Sequence, residues 1–235
     1  MSSAAAVMKE LTQAADASKA TFYLRFFKTG PGEYAEGDQF LGVTVPQQRR
    51  IARSHRDLPL PELAKLVTSP THEHRLTGFL ILIERFRKAD PPTRAHLFAF
   101  CRKHLVGLNN WDLVDTVAPK IIGEHLIDHP EQRTLLHSFA GASSLWKRRI
   151  SIMATQAFIR RGDFEETLAI AGRLLHDPHD LIHKAVGWML REVGQKERSV
   201  LEAFLERYAA EMPRTMLRYA IEKLPPPRRQ YFMER

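Results

Sequence analysis

Leu181-Ile-His-Lys-Ala-Val-Gly-Trp-Met-Leu-Arg-Glu-Val193 is the stretch that decides the fold class. Its apolar residues recur at helical spacing, with the charged residues on the other side, the pattern of an amphipathic helix buried along one face. Comparable stretches run from Arg75 to Arg87, Trp111 to Leu126, Leu145 to Arg161 and Thr215 to Leu224. Their starts recur at roughly 35-residue intervals, and second helical stretches such as Phe164 to Leu175 and Val200 to Tyr208 lie between them. Strand-like alternation is absent from the bulk of the chain.

That period is typical of stacked helix pairs, as in HEAT and tetratricopeptide arrays. The sequence therefore predicts an all-α chain, a right-handed superhelical solenoid of HEAT-like (ARM/HEAT-type) helix pairs with a concave face. Punctuation agrees. Pro46, Pro61, Pro130 and Pro213 sit at first-turn positions, and Gly162 and Gly194 follow expected helix ends. One segment breaks the pattern: Thr29-Gly-Pro-Gly-Glu-Tyr-Ala-Glu-Gly-Asp38, followed by Phe40-Leu-Gly-Val-Thr-Val45. It predicts a short Gly-rich loop or β-hairpin inserted near residues 29–45. Its glycines do not make a nucleotide loop, because no strand precedes them, no Gly-Lys-Ser/Thr follows, and nearby acids would repel a phosphate. Residues 1–224 read as a single helical-repeat, nucleic-acid-binding domain. Prolines end the last helix, and residues 225–235 read as a Pro/Arg-rich C-terminal tail without an assigned function.

With 235 residues, 44% hydrophobic and 26% charged, the chain can bury a sizeable core and is neither disordered nor membrane-spanning in composition. Lys and Arg exceed Asp and Glu by 35 to 27, giving a net charge of +8 and a pI near 9.8, which points to an anionic partner. The basic residues are clustered. Arg49, Arg50, Arg53 and Arg56 share one helical stretch, Lys147, Arg148 and Arg149 open another, and His183 with Lys184 and Arg214 with Arg218 hold corresponding places further on. Such recurrence would form a stripe able to follow a phosphate backbone. A single cysteine, Cys101, excludes an internal disulfide and reads as a buried thiol in a reducing compartment. Lys9 and Glu10 interrupt any signal-peptide core, so a cytoplasmic protein is expected. His176, His179 and His183, and the pair His125 and His129, lack the accompanying Cys pair or His-Glu-x-x-His pattern of a zinc site and read as caps and surface residues.

The chemistry-bearing stretch is Asn109-Asn-Trp-Asp-Leu-Val-Asp115. Asn110 is a good N-cap and Asp112 suits the positive end of a helix dipole. Asp115 has no such local reason, and it shares a helix face with Trp111, four residues earlier. Trp146 reads as core. Trp188 lies beside Lys184 at the same spacing, and an aromatic next to a charge can contact a sugar or a base.

Trp111 and Asp115 in NNWDLVD, Arg149 in LWKRRISI, and Trp188 in HKAVGWMLREVG together resemble the AlkD-like alkylpurine DNA glycosylases of the HEAT-like repeat superfamily. The resemblance runs from about Phe22 to Leu224, with the motifs in order and at matching spacing. It implies a curved solenoid gripping double-stranded DNA as a monomer and hydrolysing the glycosylic bond of cationic alkylated purines (3-methyladenine, 7-methylguanine) without base flipping. No cofactor or metal is implied. Asp115 would stabilise the developing sugar cation and position water, Trp111 and Trp188 would pack against the sugar, and Arg149 would hold a phosphate. Lys147, Arg148, His183, Lys184, Arg214, Arg218, Arg49 and Arg50 would bind the DNA backbone. Relatives elsewhere in the superfamily carry a β-hairpin at a helix junction and bind branched DNA with little or no excision, and GPGEYAEGDQFLGV resembles that variant. Non-catalytic binding of branched or damaged DNA is the alternative.

Overall fold

A computed structural model describes residues 3–235. Those residues are helical without a named strand, and they divide into two compact units, Met1–Leu113 and Val114–Arg235. The first unit holds α1 (Ala4–Gln13), α2 (Ala17–Phe26), α3 (Val45–Ser54), α4 (Leu60–Val67), α5 (His72–Lys88) and α6 (Pro91–Lys103). Helix α7 (Trp111–Val117) begins at its end. The second unit holds α8 (Glu124–Asp128), α9 (Thr134–Ala140), α10 (Leu145–Ala154), α11 (Gln156–Ile159), α12 (Glu165–Arg173), α13 (Asp180–Lys196), α14 (Arg198–Tyr208), α15 (Arg214–Ile221) and α16 (Pro226–Met233).

In the first unit α5 is the core helix. Leu76 through Leu82 is an unbroken buried run, including Thr77 and Gly78, so the helix has no solvent face there and α3 and α4 pack against it. In the second unit α13 is central, lying against α10, α14 and α15. Gly187 makes the last contact possible: a Cβ there would stand 2.4 Å from the Met216 carbonyl oxygen and 2.5 Å from the Tyr219 Cβ. Gly194 lies inside α13 rather than after its end, while Gly162 does occupy a left-handed turn at φ 78°.

Pro119 explains the break after α7. It has no N–H, and its ring would strike the carbonyl of residue 115 in a regular helix, so Ala118–Gly123 widens into a π-helical stretch. The inserted segment is a loop: Lys28–Asp38 forms turns, and the isolated parallel bridge Gln39–Thr71 ties its end to the start of α5. Of the two forms expected there, the hairpin is not seen among the described residues. The C-terminal stretch is a helix packed on the second unit. Pro226 and Pro227 fall where a helix needs no N–H, Phe232 is fully buried, and Arg228 pairs with Glu202 at 2.9 Å.

Candidate active site and nucleic-acid interface

Helix α7 carries Trp111 at its first position and Asp115 one turn later. Asn110, fully buried, accepts the Trp111 backbone N–H on Oδ1 at 2.8 Å and opens the helix. Asp115 is gripped side-on by Arg149 of α10: Nε donates to Oδ1 and Nη2 to Oδ2, each at 2.8 Å. Arg149 Nη1 donates to the Leu181 carbonyl at the start of α13. The arginine side chain is 5% exposed and the carboxylate 13%. A planar fork on a carboxylate fixes the carboxylate's orientation as well as its position. Arg149 therefore spends its donors on protein groups, which suits positioning of Asp115 better than the phosphate contact expected from the sequence.

The other residues expected to touch DNA divide in the same way. Arg148 is engaged with buried Asp177 (Nε to Oδ2, 2.6 Å) and with the carbonyls of Ala142 and Ser143. His183 Nε2 donates to the Asp177 carbonyl at 2.5 Å, and His179 Nδ1 accepts the Leu181 N–H, so both histidines serve the start of α13. Lys184 pairs with Asp180 at 2.7 Å, one turn back, and Trp188 donates Nε1–H to Glu192 at 3.0 Å. Lys147, Arg214 and Arg218 are exposed in the second unit, and Arg49 and Arg50 are exposed on α3 of the first. Arg49 and Arg53 share a polar hollow with Arg87 of α5. Trp146, expected in the core, is half-buried.

The first unit contains a cluster the sequence reading missed. His72 opens α5 and is 3% exposed. Its Nε2 bonds Asp112 Oδ2 at 2.8 Å, and its Nδ1 makes a longer 3.4 Å contact with Asp38 Oδ2. Burial disfavours the imidazolium, but the charge and hydrogen bond of Asp112, with that of Asp38, outweigh it and raise His72 from 6.5 to about 9. Burial also works against the Asp38 carboxylate. The His72 hydrogen bond and the Arg75 guanidinium, 2.8 Å from both oxygens, prevail and hold it below the usual carboxylate range. Glu73, 1% exposed, accepts the backbone N–H groups of Leu41, Gly42 and Val43. Gly42 is required for that turn: its φ is 82°, and a Cβ would meet the Asp16 carbonyl at 2.1 Å.

Around this polar cluster stand Phe27 and Phe40, which stack on each other at 5.1 Å and both contact the His72 ring, at centroid distances of 4.9 and 4.8 Å. Trp111 stacks on Phe27 at 5.5 Å and meets Phe26 edge-on at 5.8 Å. These rings, with Phe22 and Tyr23, wall an open pocket of about 340 Å³ whose polar groups include His72, Glu73 and Asp112. The available signal was the run His72-Glu73-His74-Arg75 leading without a polar face into LTGFLILI, because a helix buried on every side buries its charged start too.

A model of the DNA alkylation repair enzyme family matches residues 7–224. The chain belongs to that family. Membership in the DNA alkylation repair enzyme family gives it an enzymatic role in repairing alkylated DNA, with DNA as its partner. Similar solved structures include a predicted DNA alkylation repair enzyme from Enterococcus faecalis, with a TM-score of 0.69 and 15% identity, covering 90% of this chain and 97% of that one. AlkD2 from Streptococcus mutans has a TM-score of 0.56 and 15% identity, with 94% and 96% covered. The protein smu.31 from Streptococcus mutans UA159 has a TM-score of 0.55 and 15% identity, with 95% and 100% covered. At that identity the structural likeness carries the fold, and the family model carries the role. No curated protein matches significantly. Among the described residues of this DNA alkylation repair family member, no helix is long and apolar enough to cross a membrane.

Proposed function

We propose that this protein is a monofunctional DNA glycosylase, acting as a monomer on duplex DNA to hydrolyse the N-glycosylic bond of purines alkylated at N3 or N7. The observation that carries the reading is the Asp115 carboxylate held by the buried Arg149 fork. A purine alkylated at N3 or N7 already bears a positive charge. When its bond to the sugar C1′ breaks, the electron pair goes to the ring and neutralises it, so no acid is needed at the leaving group. The positive charge passes to the deoxyribose. A carboxylate fixed in orientation before the reaction stabilises that charge without reorganising. In this reading the same carboxylate also orients the attacking water. That water adds its oxygen to C1′ and gives up a proton, leaving an abasic site. Trp111 and Trp188 offer π faces to the sugar cation in this reading.

The test is release of 7-methylguanine and 3-methyladenine from methylated duplex DNA. Wild type should release both, and Asp115→Asn should slow release by on the order of 10²-fold or more while duplex affinity stays within about twofold. Unchanged release by Asp115→Asn would remove the assigned role. No release by wild type, with affinity for alkylated duplex retained, would replace excision with binding alone.

A further inference from the structure

We propose that the outer face of α2 is a platform for single-stranded DNA, on which unpaired bases stack against Phe22 and Phe26 while Arg25 and Lys28 hold the phosphates. The starting observation is a packing anomaly. A helix this short is marginal by itself in water and takes its stability from a buried face. Yet none of the ten residues of α2 is buried, although Phe27, which caps it, is. Phe22 and Phe26 are 60% and 49% exposed, one turn apart and stacked at 5.7 Å, and Leu24 is exposed as well. Three large apolar side chains on one short helix stand in water until something covers them.

The charges beside these rings say what that is. Phe22, Arg25, Phe26, Lys28 and Glu33 line an open hollow of about 420 Å³. Glu33 turns its carboxylate to the Gly30 N–H at 2.8 Å, whereas neither Arg25 nor Lys28 has an acidic partner among the described residues. Lys28 carries a second signal. Among the described residues it alone has a positive φ, 58°, without being glycine, and it follows the helix cap, where glycine would be free of strain. A lysine held there against its backbone preference points to a use for its side chain. Aromatic faces interleaved with unpaired cations are the chemistry that recognises a single strand, whose bases stack on the rings while its phosphates meet the charges. A duplex hides its base faces within the stack and would leave the rings uncovered. Family membership already makes DNA the partner. No base has to leave a duplex to reach α2, so unflipped excision at Asp115 is compatible with the platform, and the inference does not rest on the glycosylase reading.

The test titrates the full-length chain with a fluorescent oligothymidylate, a deoxyribose-phosphate strand of the same length without bases, and a blunt duplex. Wild type should bind the oligothymidylate about fivefold or more tightly than the base-free strand. Phe22→Ala alters an exposed ring, so it should keep the wild-type melting temperature and erase most of that preference. Lys28→Gly relieves the backbone, so it should melt at the same or a higher temperature. It should also weaken binding of both single strands, lower the slope of log affinity against log salt by about 0.7, and leave duplex affinity at the wild-type value. Weaker binding without lost stability is a combination that a merely structural lysine would not give. Equal affinity of wild type for strands with and without bases would overturn the assignment, as would equal losses on duplex and single strand in both variants. A dimer of the DNA-free chain that Phe22→Ala dissolves would give the face to a second copy instead.

Discussion

Arg149 and His72 are two buried cations whose removal has different, measurable consequences. Arg149→Ala would strip the Asp115 side chain, 13% exposed in the intact pair, of its fork, and breaking a buried pair of this sort costs about 3 kcal/mol or more. Urea unfolding should show that loss, whereas an arginine used only on phosphate would leave stability unchanged. Arg149→Lys keeps the charge but not the two parallel bonds, so it should fall between wild type and alanine. His72 makes a pH prediction. Its folded-state pKa of about 9 lies above the 6.5 of an unperturbed histidine, so its stabilisation is complete below about pH 6.5 and disappears as pH rises through about 9. At about 1.4 kcal/mol per pKa unit that contribution is on the order of 3 kcal/mol. The stability gap between wild type and His72→Gln should therefore narrow from pH 6.5 to 9.5, and a gap constant over that range would show that the ring is neutral in the fold.

At the scale of helices, packing distance rather than side-chain chemistry sets the next prediction. Gly187→Ala puts a methyl group 2.4 Å from a backbone oxygen of α15, which cannot move aside as a flexible side chain could, so α13 and α15 must separate. A loss of about 1–3 kcal/mol is expected, read as a lower melting temperature, and an unchanged transition would show that α15 yields freely. These helices were legible in the sequence because amphipathic period and proline punctuation are local signals: the stretches from Arg75, Leu145, Leu181 and Thr215 all coincide with observed helices. The His72 cluster was not legible, because its partners Asp38 and Asp112 lie 34 and 40 residues away and no local pattern encodes such a pairing. Asp112 shows the limit well. Its place in a first helical turn is sufficient explanation until the imidazole bonded to it is seen. Asp115 and Arg149 were each singled out by motif, yet their mutual contact, across 34 residues, was not.

For the molecule as a whole, the surplus of +8 makes DNA binding a matter of which cations are presented to solvent. Lys147 and Arg148 are neighbours in sequence and would count equally in any tally of basic residues. Lys147 is exposed, with its ammonium 5.9 Å from the Phe139 ring, whereas Arg148 is held by Asp177 and two carbonyls with its side chain 16% exposed. If Lys147 and Arg218 each neutralise a phosphate, replacing either by alanine should reduce the slope of log affinity against log salt by about 0.9, with little change in melting temperature. Arg148→Ala should behave oppositely, leaving the slope near the wild-type value and lowering stability, since it strands the buried Asp177 carboxylate. Duplex affinity measured from 50 to 200 mM salt, a range over which about six to ten phosphate contacts cost about 10³-fold or more, resolves one such contact. A full drop in slope from Arg148→Ala would mean that its bond to Asp177 opens when DNA arrives. No drop from Lys147→Ala or Arg218→Ala would move the duplex away from the exposed cations of the second unit.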